Sequence, residues 1–148
     1  MITPKAFSLI KSNVTNGAIA AEDYYIKNSK ATITATADTG YVFTGWTGDG
    51  SGSTNPLTLT MDSNKTIGAT FSKDTRDTDG DGFSNYDELV THSTDPADNA
   101  SYPTRTLTAS STTNGKISST ATHKLGATTT VTATADTGYV FTGWTGDG

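Results

Sequence analysis

A chain of 148 residues suffices for one ordinary domain or two small ones, and a composition of 32% hydrophobic residues, 15 glycines and 32 threonines favours short twisted strands over long helices. The lack of cysteine excludes a disulfide framework, a thiolate metal site and a cysteine nucleophile. A formal charge of -5 argues against a nucleic-acid partner, and no stretch approaches the roughly 18 apolar residues of a membrane span.

The opening MITPKAFSLIKSN lacks the apolar run of a secretion signal, so the chain reads as cytosolic or as a piece of a longer secreted one. A first strand is expected over residues 7–12. It runs into Asn16-Gly17, a pair that tolerates the positive φ of a tight hairpin turn, and a second strand follows. ATITATA then alternates, placing Ala31, Ile33, Ala35 and Ala37 on one face and Thr32, Thr34 and Thr36 on the other, as in a half-buried strand. Beyond the turn Asp38-Thr39-Gly40, strict alternation puts Tyr41, Phe43 and Gly45 on one side of a strand and Val42, Thr44 and Trp46 on the other. A loop rich in Gly and Ser leads to a last hairpin, residues 57–61 and 66–71 around Asp62-Ser63-Asn64. The first β module is then complete, over residues 1–73.

Residues 74–103 form a connector with different chemistry. Eight of the fifteen acidic residues fall between positions 74 and 98. From Asp77 the chain reads D-T-D-G-D-G-F-S-N-Y-D-E, which meets the calcium-loop pattern D-x-[DN]-x-[DN]-G-x5-E at every required position. Calcium takes six to eight oxygens, and carboxylates on alternate residues of a tight loop converge on one point. Asp77, Asp79 and Asp81 would give side-chain oxygens and Phe83 its backbone carbonyl. Asn85 would bind directly or through water, and Glu88, on a short helix over residues 85–91, would close the sphere. Gly82 permits the sharp turn. Four carboxylates favour Ca2+ over Mg2+, which dehydrates reluctantly, and without a cation their repulsion should leave the loop disordered. Asp95 and Asp98 either contribute to the same ion or cap the turn at Pro96, and the cap is the favoured reading.

Shifted by 98 positions, residues 7–50 align with 105–148 without a gap, and 24 of the 44 pairs are identical. Seventeen consecutive residues, TATADTGYVFTGWTGDG, recur unchanged at 34–50 and 132–148, and Val131 stands in the place of Ile33. A second module over residues 104–148 therefore lacks the last hairpin of the first. Its sheet should carry an open edge. Either the chain is a window on a longer array with a 98-residue period, or a hairpin from another chain completes the module.

The pattern with G-Y-x-F-x-G-W at its centre resembles the divergent internalin-B-type B-repeat modules of bacterial secreted and surface proteins. That resemblance implies a small all-β module, β-grasp- or sandwich-like, serving as a spacer or adhesive unit, with no catalytic residues to carry over. The loop with its following Thr94-Asp95-Pro96 is similar to the bacterial thrombospondin type 3-like repeat, which implies calcium. The aromatics Tyr41, Phe43, Trp46, Tyr139, Phe141 and Trp144 are expected in module cores rather than on a sugar platform. His92 and His123 lie too far apart for a zinc site, and no nucleophile elbow or glycosidase pair is evident. The expectation is a non-enzymatic extracellular or cell-surface spacer of a repetitive bacterial surface or filament protein, stiffened by Ca2+, with neighbouring repeats as partners. The alternatives are an adhesin for glycans or host proteins, a fibre subunit completed by strand exchange, and an accessory region of a secreted hydrolase.

Overall fold

The computed structural model describes residues 5–110, 112–118 and 121–146; residues 1–4 of the opening and Asp147 and Gly148 of the repeated segment lie outside them. The architecture is all-β, and the chain divides into two compact units, residues 1–99 and 100–148. Each is described by itself.

Unit one has seven strands: β1 (Ala6–Lys11), β2 (Gly17–Ala20), β3 (Tyr24–Ile26), β4 (Lys30–Ala37), β5 (Tyr41–Gly48), β6 (Leu57–Thr60) and β7 (Lys65–Lys73). They form a four-stranded sheet in the order β3-β1-β7-β5 and a three-stranded sheet in the order β2-β4-β6. The β1/β7 pair is parallel and the others antiparallel. One apolar core draws on both sheets: Leu9, Ala31, Ile33, Ala35, Trp46, Met61, Ile67 and Ala69 are buried. The alternation of β4 is as expected, with Ala31, Ile33 and Ala35 inward and Thr32 and Thr36 exposed. Trp46 is in the core, as expected, and donates its indole N–H to the Thr54 carbonyl at 2.8 Å.

The turns are where expected but do not make hairpins. Asn16 does adopt positive φ (66°), yet β1 and β2 belong to different sheets, as do β4 and β5 across Gly40 (φ 78°) and β6 and β7 across residues 62–64. A turn signal encodes reversal of the chain. Whether the next strand pairs edge to edge or crosses to the facing layer depends on where its apolar face is buried.

The expected alternation over residues 41–46 also needs correction. Phe43 pairs with Phe71 and Gly45 with Thr70, so Thr44 is an extra residue, a β-bulge. The bulge swings Phe43 and Trp46 to the same side, with ring centroids 5.0 Å apart.

Unit two contains β8 (Thr104–Leu107), β9 (Gly115–Ile117), β10 (Ala121–Lys124) and β11 (Ala133–Ala135), paired antiparallel as β10-β8 and β11-β9. Among its described residues there is no counterpart of β5, β6 or β7. The second-copy aromatics accordingly depart from the expected core placement: Tyr139, Phe141 and Trp144 are all exposed, Trp144 by 55% against 5% for Trp46.

Candidate metal centre

The acidic connector leaves the end of β7 and packs back on unit one. Asp74 donates its N–H to the Gly40 carbonyl at 2.8 Å, and Tyr86 donates its N–H to the Asp74 carbonyl at 3.0 Å. The Tyr86 ring lies edge-on to Tyr41 at 5.3 Å, with the Lys73 ammonium 4.1 Å from its centroid. Gly40 is required here for space as well as conformation. A Cβ on it would sit 2.6 Å from Cγ2 of Val90. Val90 belongs to a short helix, α1 (Asp87–His92), close to the expected 85–91 and wound with π-type spacing. Ser93, in the left-handed region (φ 59°), and Thr94 both donate their N–H to the Glu88 carbonyl and end the helix.

Between Asp74 and α1 the loop is held by its own carboxylates. Asp77 accepts the N–H groups of Gly80 (2.8 Å), Asp81 (3.2 Å) and Gly82 (2.9 Å). Asp79 accepts from Asp81, and Asp81 from Phe83. Gly80 and Gly82, at φ 79° and 95°, allow the coil that a side chain would strain. The result brings ligand-capable oxygens of Asp77, Asp79 and Asp81 within 4.8 Å of one another, the one such cluster among the described residues. Backbone donors, that of Gly82 foremost, hold the Asp77 carboxyl below its ordinary value.

Glu88 is the informative member of the set. Its side chain is fully buried, one oxygen accepts the Thr94 hydroxyl at 3.3 Å, and Oε2 has no hydrogen-bond partner. Burial raises its pKa, and the charges of Asp79, Asp81 and Asp77 raise it further. Oδ2 of Asp79 is likewise buried without a donor. Glu88 lies outside the 4.8 Å cluster of the three aspartates, and its orphaned buried oxygen is one that a hard cation would satisfy.

The remaining expected positions have distinct placements. Asn85 is 7% exposed; its Oδ1 accepts the Thr78 N–H at 3.2 Å and its Nδ2 donates to Asp74 Oδ2 at 2.9 Å. Its side chain thus braces the loop against Asp74. The Phe83 ring stacks edge-on against His92 at 5.9 Å. Asp95 accepts the Ala97 N–H at 3.0 Å, the cap expected at Pro96.

One key residue was not singled out by the sequence reading. Asp74, 7% exposed, is gripped by Arg76 through Nε (2.8 Å) and a terminal nitrogen (2.6 Å), and the guanidinium holds its carboxyl far below the usual carboxylate range. The D-x-R spacing just ahead of the loop is the signal that could have marked it.

No described helix is long and apolar enough to cross a membrane. No curated protein and no solved structure matches the chain. A family-level comparison matches residues 7–75 and 105–148 to the divergent InlB B-repeat domain, the two segments flanking the acidic loop. With both strand-bearing units covered by that match, the chain belongs to the divergent InlB B-repeat family.

Proposed function

We propose that this chain is a non-catalytic structural segment of a bacterial surface protein in which calcium fixes the stretch that follows the first repeat. The family is one of repeat domains of bacterial surface type, which supports a structural role. The observation that carries the calcium reading is the fully buried Glu88 carboxylate, which has an unpartnered oxygen and feels the charges of Asp79, Asp81 and Asp77.

In this reading Asp77, Asp79 and Asp81 give carboxylate oxygens, Phe83 its carbonyl and Glu88 its carboxylate. Asn85 orients the loop from its hydrogen bonds to Thr78 and Asp74 and serves the ion directly or through water. The ion removes the mutual repulsion of the carboxylates and favours the ordered loop alone, so binding and ordering are one event. The docked connector would then move with unit one as a fixed extension rather than as a free tether. The setting is the cell surface or beyond it, where calcium is plentiful, and the natural neighbours are further repeats of the same kind.

Isothermal titration of the metal-free chain with CaCl2 and with MgCl2 tests this. One calcium per chain, bound far more tightly than magnesium and lost in D79N and E88Q, is expected. Unchanged heats in those two variants, or no calcium binding at millimolar concentration, would overturn it.

A further inference from the structure

The neck of the acidic loop is closed by hydrogen bonds that owe nothing to a metal ion. The Asn85 N–H donates to the Arg76 carbonyl at 2.7 Å and the Tyr86 N–H to the Asp74 carbonyl at 3.0 Å, so the segment entering the loop and the one leaving it are clasped side by side. The Asn85 side chain adds two more bonds: Oδ1 accepts the Thr78 N–H at 3.2 Å, and Nδ2 donates to Asp74 Oδ2 at 2.9 Å. Asp74 is itself fixed. Its backbone N–H is bound to the Gly40 carbonyl ahead of β5, and its carboxylate oxygens receive Nε and a terminal nitrogen of Arg76. Asp74 and Asn85 are each 7% exposed, so water competes little for these bonds.

Both neighbours select the same orientation of the Asn85 amide. Turned over, it would set Nδ2 against the Thr78 N–H and Oδ1 against a carboxylate, donor facing donor and acceptor facing acceptor. Swinging the side chain out to the cluster of Asp77, Asp79 and Asp81 would give up both bonds in a nearly buried place. Glu88 and Asp79 differ, because each has a buried oxygen without a partner and loses no hydrogen bond by meeting a cation with it. The loop therefore divides into carboxylate oxygens that a cation would satisfy and one amide that is already in use.

We infer, resting on the calcium reading above, that Asn85 and Asp74 are positioning residues of the metal site: they set its affinity by holding the neck of the loop closed, and Asn85 reaches the ion through water alone. Calcium takes roughly six to eight oxygens, so the places not filled by the three loop aspartates, the Phe83 carbonyl and Glu88 go to water. A neck closed by side chains lowers the chain entropy that ion binding must overcome. Affinity thus depends on Asp74, which lies outside the calcium-loop pattern.

N85D tests this by sign. Where residue 85 is a ligand, exchanging its amide for a carboxylate tightens binding, because affinity follows ligand charge. Where residue 85 is a brace, the exchange weakens binding, because the donor to Asp74 is lost and two carboxylates face each other. Calorimetric titration with CaCl2, on variants whose melts in EGTA show a folded unit one, should find N85D roughly tenfold or more weaker than the parent, and D74N weaker in the same direction. D74N/N85D, which restores the bond with its polarity reversed, should bind more tightly than N85D. Terbium supplies a second readout, since it replaces calcium at oxygen sites and its luminescence decay in light and heavy water counts the waters on the ion. N85A should hold as many waters as the parent. One more water in N85A, or tighter calcium binding by N85D, would reveal a direct ligand and overturn the inference, as would a D74N variant with the parent's affinity. A parent chain that binds neither calcium nor terbium would instead remove the calcium reading, and this inference with it.

Discussion

Burial without a full set of donors holds the Glu88 carboxyl above its ordinary value, and the loop carboxylates add to this. A raised acid binds its proton more tightly folded than unfolded. Its contribution to metal-free stability therefore declines as pH rises from below 4.5 through the raised value. E88Q removes that penalty. The variant should melt higher than the parent in chelator, by about 1 kcal/mol in stability, and lose the rise that calcium gives the parent; thermal melts with and without EGTA check both. Asp74 has the opposite sign. Arg76 holds it below the ordinary aspartate value of 3.8, so its contribution is complete above that pH and fades as the medium becomes more acidic. Because the Arg76 side chain is 72% exposed, screening limits the effect, and R76A should lower stability only slightly near neutrality. Its acid-unfolding midpoint should also move to higher pH. An R76A curve parallel to the parent's down to pH 2 would show that the pair does not report on folding.

At the scale of elements, the turns, the core positions of β4 and the calcium-loop spacing were all legible, because each is set by residues close in sequence. Ile33 alternates into the core and is fully buried, so I33A should cost about 2–5 kcal/mol in denaturant unfolding, whereas the exposed Thr32→Ala should cost far less. Strand pairing was not legible, since Asn16-Gly17 and Asp38-Thr39-Gly40 look alike whether the chain folds back beside itself or crosses to the facing sheet. The bulge at Thr44 was hidden for a related reason: an extra residue is visible only against the partner strand. Gly40 and Gly138 make the dependence on context measurable. Both have positive φ, so alanine strains either backbone by roughly 1–2 kcal/mol. Only at Gly40 does the new methyl meet Val90 of α1, while Gly138 has nothing within 4 Å. G40A should therefore weaken calcium binding in a titration, and G138A should leave it unchanged.

Across the whole molecule, calcium bound only by the ordered loop should raise the stability of unit one by ~2.7 kcal/mol at a hundredfold excess over Kd. Hydrogen exchange would register this as protection extending from residues 77–88 to the Asp74 amide, which donates to the Gly40 carbonyl ahead of β5. The sequence alone determined the all-β class, the two-copy organisation and the convergence of Asp77, Asp79 and Asp81, because composition, repeat spacing and alternate carboxylates are properties of the chain itself. Only the tertiary structure decided that the connector docks on the first repeat, that Asp74 and Asn85 form its latch, and that Glu88 is buried with an oxygen unsatisfied. It also decided that identical residues are a core strand at 41–48 and an exposed, strandless stretch at 139–146. A β-strand is completed by hydrogen bonds to another segment, so no window of sequence, however well conserved between copies, contains the information about whether its partner is present.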